Sequence, residues 1–238
     1  MIQERDRPPS FAQWAVEFPR AAMAAVSLLP ARAMLDAAAR GDGRPVMILP
    51  GLINSDRSNF ILRRYLDRLG YQAVGWGLGR NLGMRAIGAD GERLLQRVTE
   101  LHERSGERVT LVGISLGGIM ARFVAHRRPE VVREVITILS PYAGDPRATR
   151  VWRAFERLTG ERIDSEASIA HRAEIARPLP VPATAIWSRS DGMVNGLICH
   201  NPDEPGCRAV EVTSSHMGVQ IHPAVLRAVA EVLARSER

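Results

Sequence analysis

Short apolar runs alternate with longer amphipathic stretches along most of the chain. Six apolar runs, each bounded by turn residues, are typical of buried strands: residues 45–49, 71–76, 109–112, 135–139, 183–187 and 209–212. Between them, apolar residues recur at helical spacing in residues 58–70, 90–104, 116–125 and 223–234. Strands that alternate with helices predict an α/β fold, with a mostly parallel sheet of about six strands and helices on both faces.

Two parts of the chain do not follow this alternation. Residues 11–40 are predicted to form helical pieces that are broken at Pro19 and Pro30 and pack on the main domain, so residues 1–44 are interpreted as an N-terminal helical segment. Residues 141–182 contain an amphipathic stretch, 148–158, which indicates either a small helical lid over a site or an ordinary helix on the core. The length favours one domain over residues 1–238, with the lid as an insert.

Composition narrows the class of protein. The chain is 45% apolar and 24% charged, which is ordinary for a soluble globular protein. Its net charge of +6 comes from Arg alone, and the basic residues are scattered, which favours a solvated basic surface over a nucleic-acid site. Weak contact with anionic membranes stays open as an alternative.

The sequence contains no transmembrane segment and no clear signal peptide. Residues 21–33 resemble a signal-peptide core with a cleavage site, but the acidic residues Glu4, Asp6 and Glu17 are wrong for such a leader. The predicted location is therefore cytoplasmic or peripheral to a membrane.

The third predicted strand leads directly into a glycine-rich turn and then a helix. The turn is Gly113-Ile114-Ser115-Leu116-Gly117-Gly118. A strand that turns sharply into a helix strains the middle residue and requires small neighbours, which is the pattern of a nucleophile elbow. Because a five-residue motif of this kind also occurs by chance as an ordinary turn, the strand before it and the helix after it carry the interpretation. Ser115 is the candidate nucleophile.

An acid and a histidine follow two later strands. Asp191 lies just after residues 183–187, and His216 lies just after residues 209–212. Carboxyl ends of parallel strands meet at one edge of a sheet, where a serine could find its base and its orienting carboxylate. Separately, Asp191 before Gly192 could be a turn residue, and His216 could be a surface histidine. Together, their order and positions predict a catalytic triad.

These motifs make the chain, from about Pro45 onward, resemble the α/β-hydrolases, and among them the compact bacterial lipases and esterases. The resemblance implies that Ser115 is the nucleophile, His216 the general base and acid, and Asp191 the orienting carboxylate. It also implies an oxyanion hole made by the backbone N–H groups of Leu52 and Leu116, with no cofactor and no metal.

Two departures from the family pattern lie beside these groups. Pro50 stands where these lipases carry His, and Ile114 stands where a His or an aromatic residue often precedes the nucleophile. Neither change removes a backbone donor. The residues predicted to contact substrate, all adjacent to the catalytic groups, are Gly51, Ile53, Ile114 and Met217.

The two cysteines, Cys199 and Cys207, lie between the acid and the base. A disulfide that closes this short loop is the favoured interpretation, and it would stabilise the fold by about 2.6 kcal/mol in the chain-entropy model. One alternative is a zinc ion bound by the two cysteines and His200. The other is that both cysteines are reduced thiols with no bond between them. Secretion becomes possible if the pair is oxidised.

The sequence thus predicts a serine hydrolase that cleaves small-molecule or lipid carboxylic esters through an acyl-enzyme. An acyltransferase or thioesterase would use the same triad, and a ligand-binding protein could keep the fold without turnover. Nucleic acid is not an expected partner. No feature of the sequence predicts an oligomeric state.

Overall fold

The computed structural model describes residues 4–235 of the 238-residue chain. This part contains six strands: β1 (Pro45–Leu49), β2 (Gln72–Gly75), β3 (Val109–Ile114), β4 (Val132–Ile138), β5 (Ala183–Trp187) and β6 (Cys207–Glu211). They form one sheet in the order β2-β1-β3-β4-β5-β6, and every neighbouring pair is parallel. The predicted α/β fold class and six-stranded sheet are confirmed.

The α-helices of residues 4–235 fill the intervals between strands and the N-terminal segment. They are α1 (Phe11–Ala15), α2 (Glu17–Ser27), α3 (Arg32–Asp36), α4 (Phe60–Leu69), α5 (Met84–Ile87), α6 (Glu92–Ser105), α7 (Leu116–Arg127), α8 (Trp152–Thr159), α9 (Glu166–Ala176) and α10 (Pro223–Arg235). Short 3-10 helices lie at Glu4–Asp6, Pro129–Val131, Pro146–Ala148, Gly196–Ile198 and Val219–Ile221. The periodic stretches of the sequence therefore correspond to α4, α6, α7 and α10.

Both faces of the sheet are covered. Alternate residues of β1 point to opposite faces, so that Val46 and Ile48 pack with α3, α4 and α10, whereas Met47 and Leu49 pack with α6, α7 and α9. A strand that is buried on both faces consists of a nearly continuous run of apolar residues. This is why β1 appears in the sequence as a continuous apolar run.

The N-terminal segment is helical, but the predicted break at Pro19 is wrong. Pro19 is the third residue of α2, and the break falls at Val16 instead. Backbone N–H groups in the first turn of a helix have no intrahelical partner, so a proline there removes no hydrogen bond. The break near Pro30 is present between α2 and α3. Residues 1–3 of the segment, and residues 236–238 at the other end of the predicted domain, lie outside the described residues.

The predicted insert, 141–182, contains one 3-10 helix together with α8 and α9. The amphipathic stretch at 148–158 forms α8 only from Trp152 onward. No apolar period in the sequence indicated α9, whose small and polar residues give it little amphipathic character. Its first turn is capped instead by Ser165, whose Oγ accepts a hydrogen bond from the Ser168 N–H at 3.2 Å.

The predicted disulfide is wrong, because Cys199 and Cys207 are both free thiols. Cys199 follows a 3-10 helix, and its buried Sγ donates to the carbonyl oxygen of Asn195 at 3.7 Å. Cys207 begins β6, and its Sγ lies 3.7 Å from the Tyr142 hydroxyl. The two side chains thus have different neighbours. Within residues 4–235 there is also no group of three His, Cys, Asp or Glu side chains that could hold a metal ion.

Candidate active site

The turn from β3 into α7 is confined to one residue. β3 ends at Ile114 and α7 begins at Leu116, so Ser115 carries the reversal, with φ 51° and ψ −118°. A non-glycine residue in such a sparsely populated region costs about 1–3 kcal/mol and persists only where its surroundings hold it. The Ser115 N–H donates to the carbonyl oxygen of Ile138 at 2.8 Å, which anchors the turn to β4.

Three glycines allow this turn to form. A Cβ atom on Gly113 would lie 2.4 Å from the Gly117 oxygen, and one on Gly117 would lie 2.3 Å from the Leu49 oxygen. A Cβ atom on Gly118 would lie 2.0 Å from the Ser140 hydroxyl oxygen. The first two contacts are with backbone and are too short to tolerate, and the third is with the short, buried Ser140 side chain. The glycines are therefore required for the close approach of α7 to β1, β3 and β4.

Ser115, His216 and Asp191 form a continuous hydrogen-bonded chain. His216 Nε2 lies 3.0 Å from Ser115 Oγ, and His216 Nδ1 lies 2.7 Å from Asp191 Oδ2. Because the carboxylate can only accept, Nδ1 carries the proton in the neutral ring and Nε2 presents its lone pair to the serine hydroxyl. This is the geometry of a nucleophile, a base and an orienting acid.

Asp191 is held in place by its own loop. The residue is 1% exposed, and its Oδ1 accepts the N–H groups of Met193 at 2.7 Å and Val194 at 2.8 Å. These bonds leave Oδ2 for His216. The alternative of an ordinary Asp-Gly turn residue does not explain that division, because one oxygen organises the loop while the other bonds a residue 25 positions away.

The pKa of His216 is raised above its ordinary value. Burial alone lowers it, because the charged ring is the form that burial penalises. The Asp191 carboxylate outweighs that effect through its charge and its hydrogen bond, and the charge of Glu17 adds to it. The site therefore favours the protonated ring, which is the form that a general base reaches when it accepts a proton.

A pair of buried serines joins the loop after β5, residues 188–194 (the acid loop), to the loop after β6, residues 212–218 (the base loop). Ser188 follows β5, and its hydroxyl donates to the Ser214 carbonyl oxygen at 2.9 Å and accepts the Ser214 N–H at 3.1 Å. The hydroxyl also accepts the Ser190 N–H at 3.2 Å. Sequence reasoning missed both serines, although each lies within three residues of a predicted catalytic residue.

The loop after β1 presents Leu52 to the same site. Leu52 and Leu116 both line the cavity at Ser115, and within residues 4–235 neither backbone N–H has a protein acceptor. Leu116 is the first residue of α7, where the N–H groups point out of the helix and its dipole is positive. Two such groups can receive an oxygen that becomes negatively charged.

Asn81 holds that loop in shape. It is fully buried, and its Nδ2 donates to the Pro50 carbonyl oxygen at 2.7 Å. Its backbone oxygen accepts the Ile53 N–H at 2.7 Å, and its backbone N–H donates to the Asn54 carbonyl oxygen at 2.8 Å. Sequence reasoning missed Asn81. The only available signal was a lone amide in a glycine-rich stretch.

A cavity of about 150 Å³ opens beside Ser115 and is mostly apolar. Most of its wall comes from the insert, including Trp152 and Phe155 of α8 and Ile175 of α9. Glu161 joins the insert to the opposite wall, because its Oε1 accepts the Met84 N–H at 2.7 Å. Burial raises the pKa of this carboxyl, and the hydrogen bond from Met84 opposes the rise.

The four residues predicted to contact substrate are neighbours of Leu52, Ser115 and His216 in the chain, but they do not line this cavity. Ile114 is 4% exposed and, like Val112 two positions earlier on β3, packs in the core with α4 and α10, because side chains alternate between the two faces of a strand. Gly51 lies against Ser115, and Ile53 is half exposed at the edge of the loop. Met217 follows the histidine, and its N–H donates to Glu17.

Sequence comparisons relate a short part of the chain to a known lipase. No protein family model matches the chain. A stretch of 68 residues is 37% identical to a triacylglycerol lipase of Pseudomonas fragi, and it covers 28% of this chain and 23% of that lipase. The chain thus spans less than a quarter of that relative.

Solved structures resemble the chain over most of its length. The Bacillus licheniformis lipase BlEst2 superposes with a TM-score of 0.62 at 16% identity, over 82% of this chain and 94% of the lipase. An α/β superfamily hydrolase of Oenococcus oeni superposes with a TM-score of 0.55 at 17% identity, over 83% of this chain and 94% of that one. The chain therefore has the α/β-hydrolase fold.

Proposed function

We propose that this protein is a serine hydrolase that cleaves carboxylic esters. The observation that carries the proposal is the hydrogen-bonded chain from Ser115 through His216 to Asp191, with the serine in a strained turn at the mouth of an apolar cavity. The named lipases among the similar proteins support the same reaction class.

The reaction would proceed in two steps through an acyl-enzyme. His216 Nε2 takes the hydroxyl proton while Ser115 Oγ attacks the ester carbonyl carbon, and the carbonyl oxygen becomes an oxyanion next to the N–H groups of Leu52 and Leu116. His216 then returns the proton to the leaving alcohol as the C–O bond breaks. In the second step His216 activates a water molecule, which attacks the acyl carbon and releases the acid and the serine.

The cavity favours an apolar acyl group of modest size. Its volume of about 150 Å³ matches that of a dry protein cavity able to hold a molecule such as benzene. Because residues 141–182 build most of the wall, a longer chain would require the insert to move. We therefore propose that residues 141–182 act as a lid, and that the closed form admits short acyl chains.

The N-terminal helices present an apolar outer surface, which we propose meets a lipid surface. Every exposed residue between 11 and 30 is apolar, and the large exposed side chains include Phe11, Trp14, Phe18, Met23, Val26 and Leu29. The polar side chains of the stretch point inward, as with Gln13, whose Nε2 donates to the Arg189 carbonyl oxygen. A protein partner would ordinarily supply hydrogen bonds to such a face, whereas lipid hydrocarbon needs none. The net charge of +6 favours anionic lipid.

No helix in residues 4–235 is long and apolar enough to cross a membrane.

A fluorophosphonate probe tests the reaction class. We expect it to label Ser115 in the folded protein and to leave the Ser115→Ala variant unlabelled. Turnover should follow with short p-nitrophenyl esters and fall as the acyl chain lengthens beyond the cavity. Failure to label Ser115 would favour a ligand-binding protein without turnover. Faster turnover of acyl-CoA than of the matching ester would favour a thioesterase.

Vesicle sedimentation tests the lipid-facing surface. We expect more wild-type protein on phosphatidylglycerol vesicles than on phosphatidylcholine vesicles. The double variant Phe18→Ser, Val26→Ser should lose that binding and keep its activity on soluble esters. Ile169→Ser changes an exposed apolar side chain on α9, away from the N-terminal helices, and serves as the control. A dimer that the double variant dissociates would instead assign this face to a second copy of the chain.

A further inference from the structure

Glu17 is a buried carboxylate in the N-terminal segment that contacts both catalytic loops. It is 1% exposed and lies in the first turn of α2. Its Oε1 accepts the Gly192 N–H at 2.7 Å, and its Oε2 accepts the Met217 N–H at 2.8 Å. These N–H groups belong to the residues that directly follow Asp191 and His216. One carboxylate therefore joins the acid loop to the base loop.

The surrounding contacts leave this arrangement little freedom. Arg20, one turn further along α2, donates from its guanidinium to the carbonyl oxygen and to the hydroxyl of Ser190. A Cβ atom on Gly192 would lie 2.4 Å from the Gln13 backbone oxygen, so the acid loop sits directly on the N-terminal segment. The position of α2 thus determines where both loops lie.

Packing alone does not explain a carboxylate at this position. Taking an ionised group out of water is costly unless its oxygens are hydrogen-bonded, and an apolar side chain would hold α2 in place without that cost. Glu17 makes no salt bridge in residues 4–235 that could account for its charge. Each of its two carboxylate oxygens instead accepts a hydrogen bond from one of the two loops.

The charges around His216 are few. Asp191 faces the ring from the acid loop, and Glu17 faces it from α2. The Arg20 guanidinium lies on the same side and, after burial, helps to lower the pKa of His222, which follows the base loop. Both carboxylates favour the charged form of His216.

We propose that Glu17 is a positioning residue for the reaction: it holds the acid and base loops at their bonding distance and favours the imidazolium that forms when His216 accepts the serine proton. This inference rests on the proposed function. It goes beyond the triad by assigning part of the active-site architecture to a segment outside the sheet.

The test is Glu17→Gln, compared with wild type over a range of pH. The glutamine amide keeps the shape of the Glu17 side chain but removes its charge. It also places an NH₂ group opposite one of the two N–H donors, Gly192 or Met217. We expect kcat on a short p-nitrophenyl ester to fall by about tenfold, because displaced catalytic groups lose rate steeply. The pKa of His216, followed by NMR titration of its imidazole, should fall, and the acid limb of kcat/KM should move to lower pH.

Two further variants distinguish a positioning role of Glu17 from an effect of its charge alone and from a general loss of stability. Glu17→Asp keeps the charge but is too short to reach both loops, so its kcat should fall with a smaller change in the pKa of His216. Glu134→Gln alters another buried carboxylate, at the opposite end of the strands, and should lower Tm without moving the pH profile. If Glu17→Gln behaves like Glu134→Gln, the positioning role is refuted. The NMR titration needs no turnover, so a failure of fluorophosphonate labelling would count against the proposed function alone.

Discussion

Asn81→Ala should weaken the loop after β1, residues 50–56 (the oxyanion loop), while leaving Ser115, His216 and Asp191 in place. The Asn81 side chain is the link between the Pro50 carbonyl oxygen, at 2.7 Å from Nδ2, and the Gly83 N–H, at 3.2 Å from Oδ1. Alanine removes both bonds. Leu52, two residues after Pro50, then loses the side-chain part of its support, while the backbone bonds of residue 81 to Ile53 and Asn54 remain.

The size of the effect follows from these contacts. A buried polar group that loses its partner costs about 1–3 kcal/mol, so we expect the free energy of unfolding to fall by about 3 kcal/mol for the two bonds. Loss of one oxyanion donor typically lowers kcat by about 10²-fold or more. KM should change little, because the donor acts on the oxyanion more than on the bound ester.

The assay is steady-state hydrolysis of a short p-nitrophenyl ester, with urea unfolding of the same preparations. Asn81→Asp is the matched variant: it keeps the Gly83 acceptor but places a carboxylate oxygen against the Pro50 carbonyl, so its kcat should also fall. If Asn81→Ala loses stability while kcat stays within a factor of two or so of wild type, Leu52 does not depend on Asn81 and the reasoning fails.

Three further predictions concern the acid, the base and the cysteines. Asp191→Asn should lower kcat by about 10⁴-fold, because the amide favours the wrong histidine tautomer, and near-normal turnover would refute the assignment of Asp191. In wild type, kcat/KM should fall as pH drops through the raised pKa of His216, because the base must be neutral; an acid limb well below pH 6.5 would contradict that shift. A thiol titration of unfolded protein should find both Cys199 and Cys207 without prior reduction, and reductant should leave Tm unchanged; a drop in Tm would show that a disulfide forms.

The sheet and the proposed triad were accessible from sequence because their signals are local. β1 and β5 match the predicted runs residue for residue, since a strand that is buried on both faces is mostly apolar, with Thr184 as the one polar residue of the two strands. Ser115, Asp191 and His216 each follow a strand, and parallel strands bring their carboxyl ends to one edge. The order of the strands is limited by general rules, because connections between consecutive parallel strands are short and right-handed.

The remaining features depend on contacts between distant residues. Glu17 bonds Met217 across 200 positions, and Asn81 bonds Pro50 across 31, so neither role leaves a pattern along the chain. Cys199 and Cys207 are near in sequence but face different neighbours. Proximity along the chain therefore indicated a bond that the fold does not form.

The sequence by itself determined the six strands, the helices that have a clear apolar period, and where the reactive side chains stand relative to the sheet edge. Apolar periodicity, the glycines around Ser115 and chain order were enough, because each reflects the physics of a few adjacent residues. Only the tertiary structure decided how far apart the acid and base lie, what holds the oxyanion loop and how large the cavity is. Those quantities arise where separate loops pack together, and their distances are set by side chains such as Glu17 and Asn81 that come from other parts of the chain.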